Sequence, residues 1–104
     1  MKIQIREHDV EVTKILRSHV ERRLGLALGR FAERIGRVTV RFSESDGHQR
    51  ALDKRCQIEV GLRPTSVRVE DVDADPFIAV DHAADRVSRS VARALERQRD
   101  WQSS

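Results

Sequence analysis

The chain has 104 residues, 38% of them hydrophobic and 36% charged, and a net charge of +3. That length fits one domain, which can bury roughly two-thirds of the surface its unfolded form exposes, and no apolar run approaches the roughly 18 residues needed to cross a bilayer. The opening Met1-Lys2-Ile3-Gln4-Ile5 alternates instead of building a signal-peptide core, and a lone Cys56 cannot close an internal disulfide, so a cytoplasmic protein with no membrane partner is expected.

Lys2 to Arg6, with Ile3 and Ile5 on one side, reads as a first strand. Thr13 is placed to cap a helix running to about Phe31, whose packing set is Leu16, Val20, Leu24, Ala27, Leu28 and Phe31. Gly25 and Gly29 fall on its outward arc and weaken it by about 1 kcal/mol each relative to Ala. After Gly36, Val38, Val40 and Phe42 alternate with Arg37, Thr39 and Arg41 as a second strand. Glu44 to Ala51 is polar and contains Asp46-Gly47, which reads as a loop with a turn. Cys56, Ile58, Val60 and Leu62 alternate with Arg55, Gln57 and Glu59 in a third strand. Arg63-Pro64-Thr65-Ser66 then turns the chain into a fourth, where Val67 and Val69 face inward.

The last element is a helix from Pro76 to Asp100. Asp75 can accept from free first-turn amides, and Pro76 loses nothing at the first helical position. At about 100° per residue, Phe77, Val80, Ala84, Val87, Val91 and Leu95 fall on one arc, and Arg86, Arg89, Arg93 and Arg97 on nearly the opposite one. The order β-α-β-β-β-α predicts a two-layer α+β sandwich. In it a four-stranded mixed sheet carries both helices on one face, in the manner of a double-stranded-RNA-binding domain. Residues 1–101 form the single domain in this reading, and 102–104 a free tail.

Charge is divided along the chain. Residues 13–35 hold six basic and two acidic residues, net +4; residues 64–85 hold one basic and six acidic, net −5; residues 86–104 hold five basic and two acidic, net +3. Such a chain docks on a polyanion in one orientation, and its preference for arginine over lysine suits phosphate recognition. The arginine face of the last helix also reads as plain solvated surface, and genome composition produces the same bias toward arginine.

His8, His19, His48 and His82 are scattered with no metal-ligand spacing, and Cys56 shares parity with Ile58 and Val60, so it reads as a buried, inert thiol. No G-x-S-x-G, H-E-x-x-H or phosphate-cradling glycine loop occurs. A binding protein without cofactor, metal or small-molecule substrate is expected, not an enzyme. Nucleic acid is the obvious polyanion. With only Phe31, Phe42, Phe77 and Trp101 as aromatics, base stacking on the sheet is poorly supported, and shape recognition of folded RNA through phosphates fits better. The candidate contacts are Arg17, Arg22, Arg23 and Arg30 from the first helix and Arg86, Arg89, Arg93 and Arg97 from the last.

Over residues 1 to about 97 the chain resembles the short bacterial ribosome hibernation-promoting factor and ribosome-associated inhibitor family. The likeness rests on His8-Asp9-Val10-Glu11-Val12-Thr13, similar to that family's N-V-E-I-T, followed by Leu16-Arg17 and Val20, with Arg34-Ile35 before the second strand. It rests most on Ile78-Ala79-Val80-Asp81 and on Asp85 to Arg93, similar to A-A-I-D and D-K-L-x-R-Q-L-x-K, which aligns Arg86, Arg89 and Arg93 with basic positions. The resemblance implies a factor that binds the RNA of the small ribosomal subunit in the messenger and transfer-RNA channel and inhibits translation. It also implies that the C-terminal domain that pairs ribosomes in long forms is lacking. Phe77 in place of a tyrosine, a missing A-S-A stretch ahead of the last helix, and the Asp53-Lys54-Arg55-Cys56 segment depart from the family pattern. A general structured-RNA-binding protein, or a stress protein meeting an acidic partner, is the alternative.

Overall fold

The computed structural model describes residues 1–45 and 53–103, with side chains described as far as Asp100. In chain order it contains β1 (Lys2–His8), α1 (Lys14–Leu28), a 3₁₀ segment (Gly29–Arg34), β2 (Arg37–Ser45), β3 (Asp53–Gly61), β4 (Ser66–Asp73) and α2 (Pro76–Ser103). The strands lie in the order β1-β2-β3-β4. β1 runs parallel to β2, as a strand returning through a helix must, and β2 to β4 form an antiparallel meander. α2 lies over β3 and β4, and α1 packs beside it. This is the expected two-layer sandwich with a mixed sheet.

Strand parity decides what the sheet buries. Val38, Val40 and Phe42 of β2 and Cys56, Ile58 and Val60 of β3 are fully buried beneath the helices, while Arg37, Arg41 and Arg68 stand exposed on the opposite face. Leu16, Val20, Leu24 and Leu28 close the core from α1, and Ala79, Val80, Ala83, Ala84, Val87, Val91 and Ala94 close it from α2. The small residues of α2 let the helix approach the sheet closely.

Several boundaries differ from the sequence reading, and β1 and β4 also run on to His8 and Asp73. Glu44 and Ser45, expected in a loop, continue β2, and β3 starts at Asp53, because Glu44 stands opposite Lys54 and its carboxylate lies 3.2 Å from Nζ. A cross-strand charge pair extends the hairpin where hydrophobic alternation has stopped. The expected turn at Asp46-Gly47 lies outside the described residues. The first helix tightens into 3₁₀ geometry at Gly29, and Phe31 belongs to that tighter turn. The last helix continues to Ser103, past Asp100 and into the stretch read as a tail.

Both caps are as expected. Thr13 Oγ1 accepts from the Leu16 amide at 3.1 Å, and Asp75 Oδ1 from the Phe77 amide at 2.8 Å. A Cβ built on Gly25 meets nothing within 4 Å. Gly25→Ala therefore raises stability by about 1 kcal/mol, since the added methyl removes freedom from the unfolded chain without a clash. A higher urea midpoint with unchanged slope is the measurement that checks it.

Cys56 is fully buried and faces Asp71 across the β3–β4 ladder. Burial first, and the nearby Asp71 carboxylate second, push its thiol from the ordinary 9.0 up to about 12. The folded protein holds the proton more tightly than the unfolded chain does. This contribution to stability is therefore fully present below pH 9 and is lost as pH rises from about 9 towards 12. Two results are expected: slow reaction with thiol reagents at pH 8, and a stability cost of roughly 1 to 3 kcal/mol in Cys56→Ser from the buried hydroxyl. Labelling at the rate of a free thiol would contradict the first, and an unchanged unfolding midpoint in Cys56→Ser the second.

Candidate nucleic-acid interface

The helix layer carries the eight candidate arginines, and the fold sorts them into four environments. Arg23, 30% exposed, fills the seam between the helices: its Nε lies 3.1 Å from Asp81 Oδ1 and its Nη2 3.2 Å from Asp85 Oδ1, both on α2. His19 joins the same seam, donating from Nε2 to Asp81 Oδ1 at 2.7 Å and accepting from Arg22 Nη2 at Nδ1 at 3.2 Å. Its ring packs edge-on against Phe77, with centroids 5.1 Å apart. Arg23 is a structural tie between helices, already neutralised by two carboxylates, and so is the weakest of the eight as a phosphate contact.

Arg86 is the second committed side chain. Its Nη1 donates to the Glu70 carbonyl at 3.1 Å, and its Nε lies 3.6 Å from Asp71 Oδ2, so it leans over β4 instead of facing outward. Asp71 is only 14% exposed and is shared with His82 Nδ1 at 3.5 Å. The acidic segment 64–85 thus spends its carboxylates on neighbouring cations in two places, one in the helix seam and one along β4.

Arg17 lines the β1 edge together with Lys2, Arg6 and Arg37, away from α2. Arg97 leans to the opposite side, towards the β3–β4 turn. The remaining four decorate the outer surface of the helix layer. Arg22 is exposed beside His19, and Arg30 sits 4.4 Å above the Phe31 ring centre in a shallow depression shared with Leu95 and Arg99 of α2. Arg89 and Arg93 are exposed and have no carboxylate partner among the described residues. Periodicity had placed all four α2 arginines opposite the core. The structure keeps Arg89 and Arg93 there and turns Arg86 and Arg97 to the β4 flank.

Sequence reasoning passed over Arg34, whose Nη2 donates to Gln98 Oε1 at 3.2 Å and ties the 3₁₀ segment to α2. It also passed over Arg99, one helical turn from Glu96 on the side facing the 3₁₀ segment. The 86, 89, 93, 97 spacing drew attention to one stripe only.

The model of the sigma 54 modulation protein / S30EA ribosomal protein family matches residues 3–99. The chain belongs to that family. A curated relative, the ribosome hibernation promotion factor of Deinococcus radiodurans, is 27% identical over 90 residues, covering 86% of this chain and 47% of the relative, so the chain spans about half the relative's length. The N-terminal domain of Protein Y from Thermus thermophilus is 30% identical and superposes with a TM-score of 0.72, over 89% of this chain and 98% of that one. A ribosomal subunit interface protein from Coxiella burnetii, 19% identical, shares the fold with a TM-score of 0.76 over 92% and 99% of the two chains. The resemblance read from the sequence is thus to the right family. Among the described residues, no helix is long and apolar enough to cross a membrane.

Proposed function

We propose that the protein is a ribosome hibernation factor. It inhibits translation by occupying the messenger and transfer-RNA channel of the small subunit, held there by phosphate contacts from its helix layer. The observation that carries this reading is the separation of charge in the fold: Asp71, Asp81 and Asp85 are spent on Arg23, Arg86, His19 and His82, while Arg89 and Arg93 face outward without a carboxylate partner among the described residues. A surface of outward-facing cations over an internally neutralised layer attracts an anionic backbone and, among the described residues, presents no exposed aromatic, which suits recognition of folded RNA by shape. The family and the Deinococcus relative supply the ribosome as the structure that offers such RNA. Its action is occupancy without catalysis, in the cytoplasm where ribosomes are.

Cations that neutralise phosphates release condensed counterions, so affinity falls steeply with salt. Several such contacts give a loss on the order of a hundredfold or more between 50 and 200 mM salt. Co-sedimentation of the protein with small subunits over that range measures it. An affinity independent of salt, or retention of the protein on ribosomal proteins after nuclease treatment, would replace RNA with an acidic protein partner.

A further inference from the structure

A cleft of about 790 Å³ opens at one end of the molecule, where the 3₁₀ segment, the β3–β4 turn and the C-terminal half of α2 meet. Each of these elements sends one arginine to it: Arg34, Arg63 and Arg97. No carboxylate lines it among the described residues, unlike the helix seam at Arg23 and the β4 flank at Arg86, where acids match the arginines. Its remaining wall is apolar, made by Pro64, Val67 and Ala94.

Two of the three cations, Arg34 and Arg63, are held in place by neighbours. Gln98 accepts from Arg34 at Oε1 and donates from Nε2 to Thr65 Oγ1 at 3.3 Å, bridging two sides of the cleft. Arg63 sits in the left-handed region at φ 44°, fixed by the Leu62 amide donating to the Thr65 carbonyl at 2.8 Å, and its guanidinium lies against Gly36. Three arginines that line one cleft with no carboxylate among the described residues call for a multiply charged anion, and planar forks suit phosphate oxygens. The volume lies in the range of small-molecule sites and exceeds what one phosphate fills, and the apolar wall offers a face for a base and ribose.

We propose that this cleft binds a nucleoside phosphate, with the phosphates on Arg34, Arg63 and Arg97 and the base against Pro64, Val67 and Ala94. The nucleotide comes either from the free pool or from an unpaired position of an RNA strand. Neither source requires that the protein act on ribosomes, because both are tested without them.

The test is calorimetric titration of the full chain with ATP, GTP, guanosine, tripolyphosphate and a single-stranded trinucleotide. A nucleoside triphosphate is expected to bind with a Kd below about 1 mM, and guanosine and tripolyphosphate at least about tenfold more weakly, since each offers only half of the contacts. Arg34→Gln, Arg63→Gln and Arg97→Gln are each expected to weaken binding by about tenfold, with unfolding midpoints recorded to confirm that the fold is kept. Binding of the trinucleotide but not of mononucleotides, lost in the same variants, assigns the site to an RNA strand. The proposal is overturned if neither nucleotide form binds, if tripolyphosphate binds as tightly as GTP, or if folded variants bind as the parent does.

Discussion

Replacing Arg89 and Arg93 with Glu is expected to reduce affinity for the small subunit by at least about a hundredfold while leaving the fold intact. Both side chains are exposed and unpaired with carboxylates among the described residues, so the change removes no internal contact, and exposed charge changes move stability by less than about 0.5 kcal/mol. Each reversal deletes a phosphate contact and adds a repulsion, which acts twice on the electrostatic term. Reversal of Arg41 and Arg55, on the opposite face of the sheet, is the matched control. Those two lie near Glu59 and Glu70, at 3.8 and 3.6 Å, and should lower binding far less. Arg86→Ala separates the two roles an arginine can have on α2. Held by Glu70 and Asp71, Arg86 should lose about 1 kcal/mol of stability on replacement and little affinity. Co-sedimentation and a translation assay read all three. Equal binding by the Arg89/Arg93 variant and the control would mean that the arginine stripe is solvated surface.

The layers of the fold were legible because each element carries its own period. Val38-Val40-Phe42 and Cys56-Ile58-Val60 show their buried side by alternation, and Val80-Val87-Val91 by helical spacing, without reference to anything distant. The partners of charged side chains were not legible in the same way. Arg23 and Arg89 look alike on a helical wheel, but α2 lies beside one and solvent beside the other, and only the packing of α1 against α2 puts Asp81 and Asp85 within reach of Arg23. The Glu44–Lys54 pair escaped for a related reason: it acts across a hairpin whose strands are polar at that end, so no alternation marks it. The arginine cleft is the extreme case. Arg34, Arg63 and Arg97 belong to three elements, share no spacing, and become neighbours only when the β3–β4 turn folds under α2.

Phe42→Ala is expected to be the most damaging single change, at about 3 to 5 kcal/mol of stability. Phe42 is fully buried and heads the largest side chains of the core; it sits on β2, an interior strand paired with β1 on one side and β3 on the other, directly opposite Cys56. Its removal leaves a cavity that β2 cannot collapse to fill, because ladders on both sides hold its backbone. A domain of this size has a total stability of only about 5 to 15 kcal/mol, so the loss takes a large share of it, and a parent near the lower bound is left substantially unfolded at 37 °C. Ribosome binding should then fall in proportion to the folded fraction and recover on cooling. That separates it from the Arg89/Arg93 variant, whose defect persists in a fully folded protein at any temperature. A urea midpoint lowered at constant slope, with binding per folded molecule unchanged, is the expected result. A loss of affinity in excess of the unfolded fraction would mean that the sheet also shapes the RNA-binding surface.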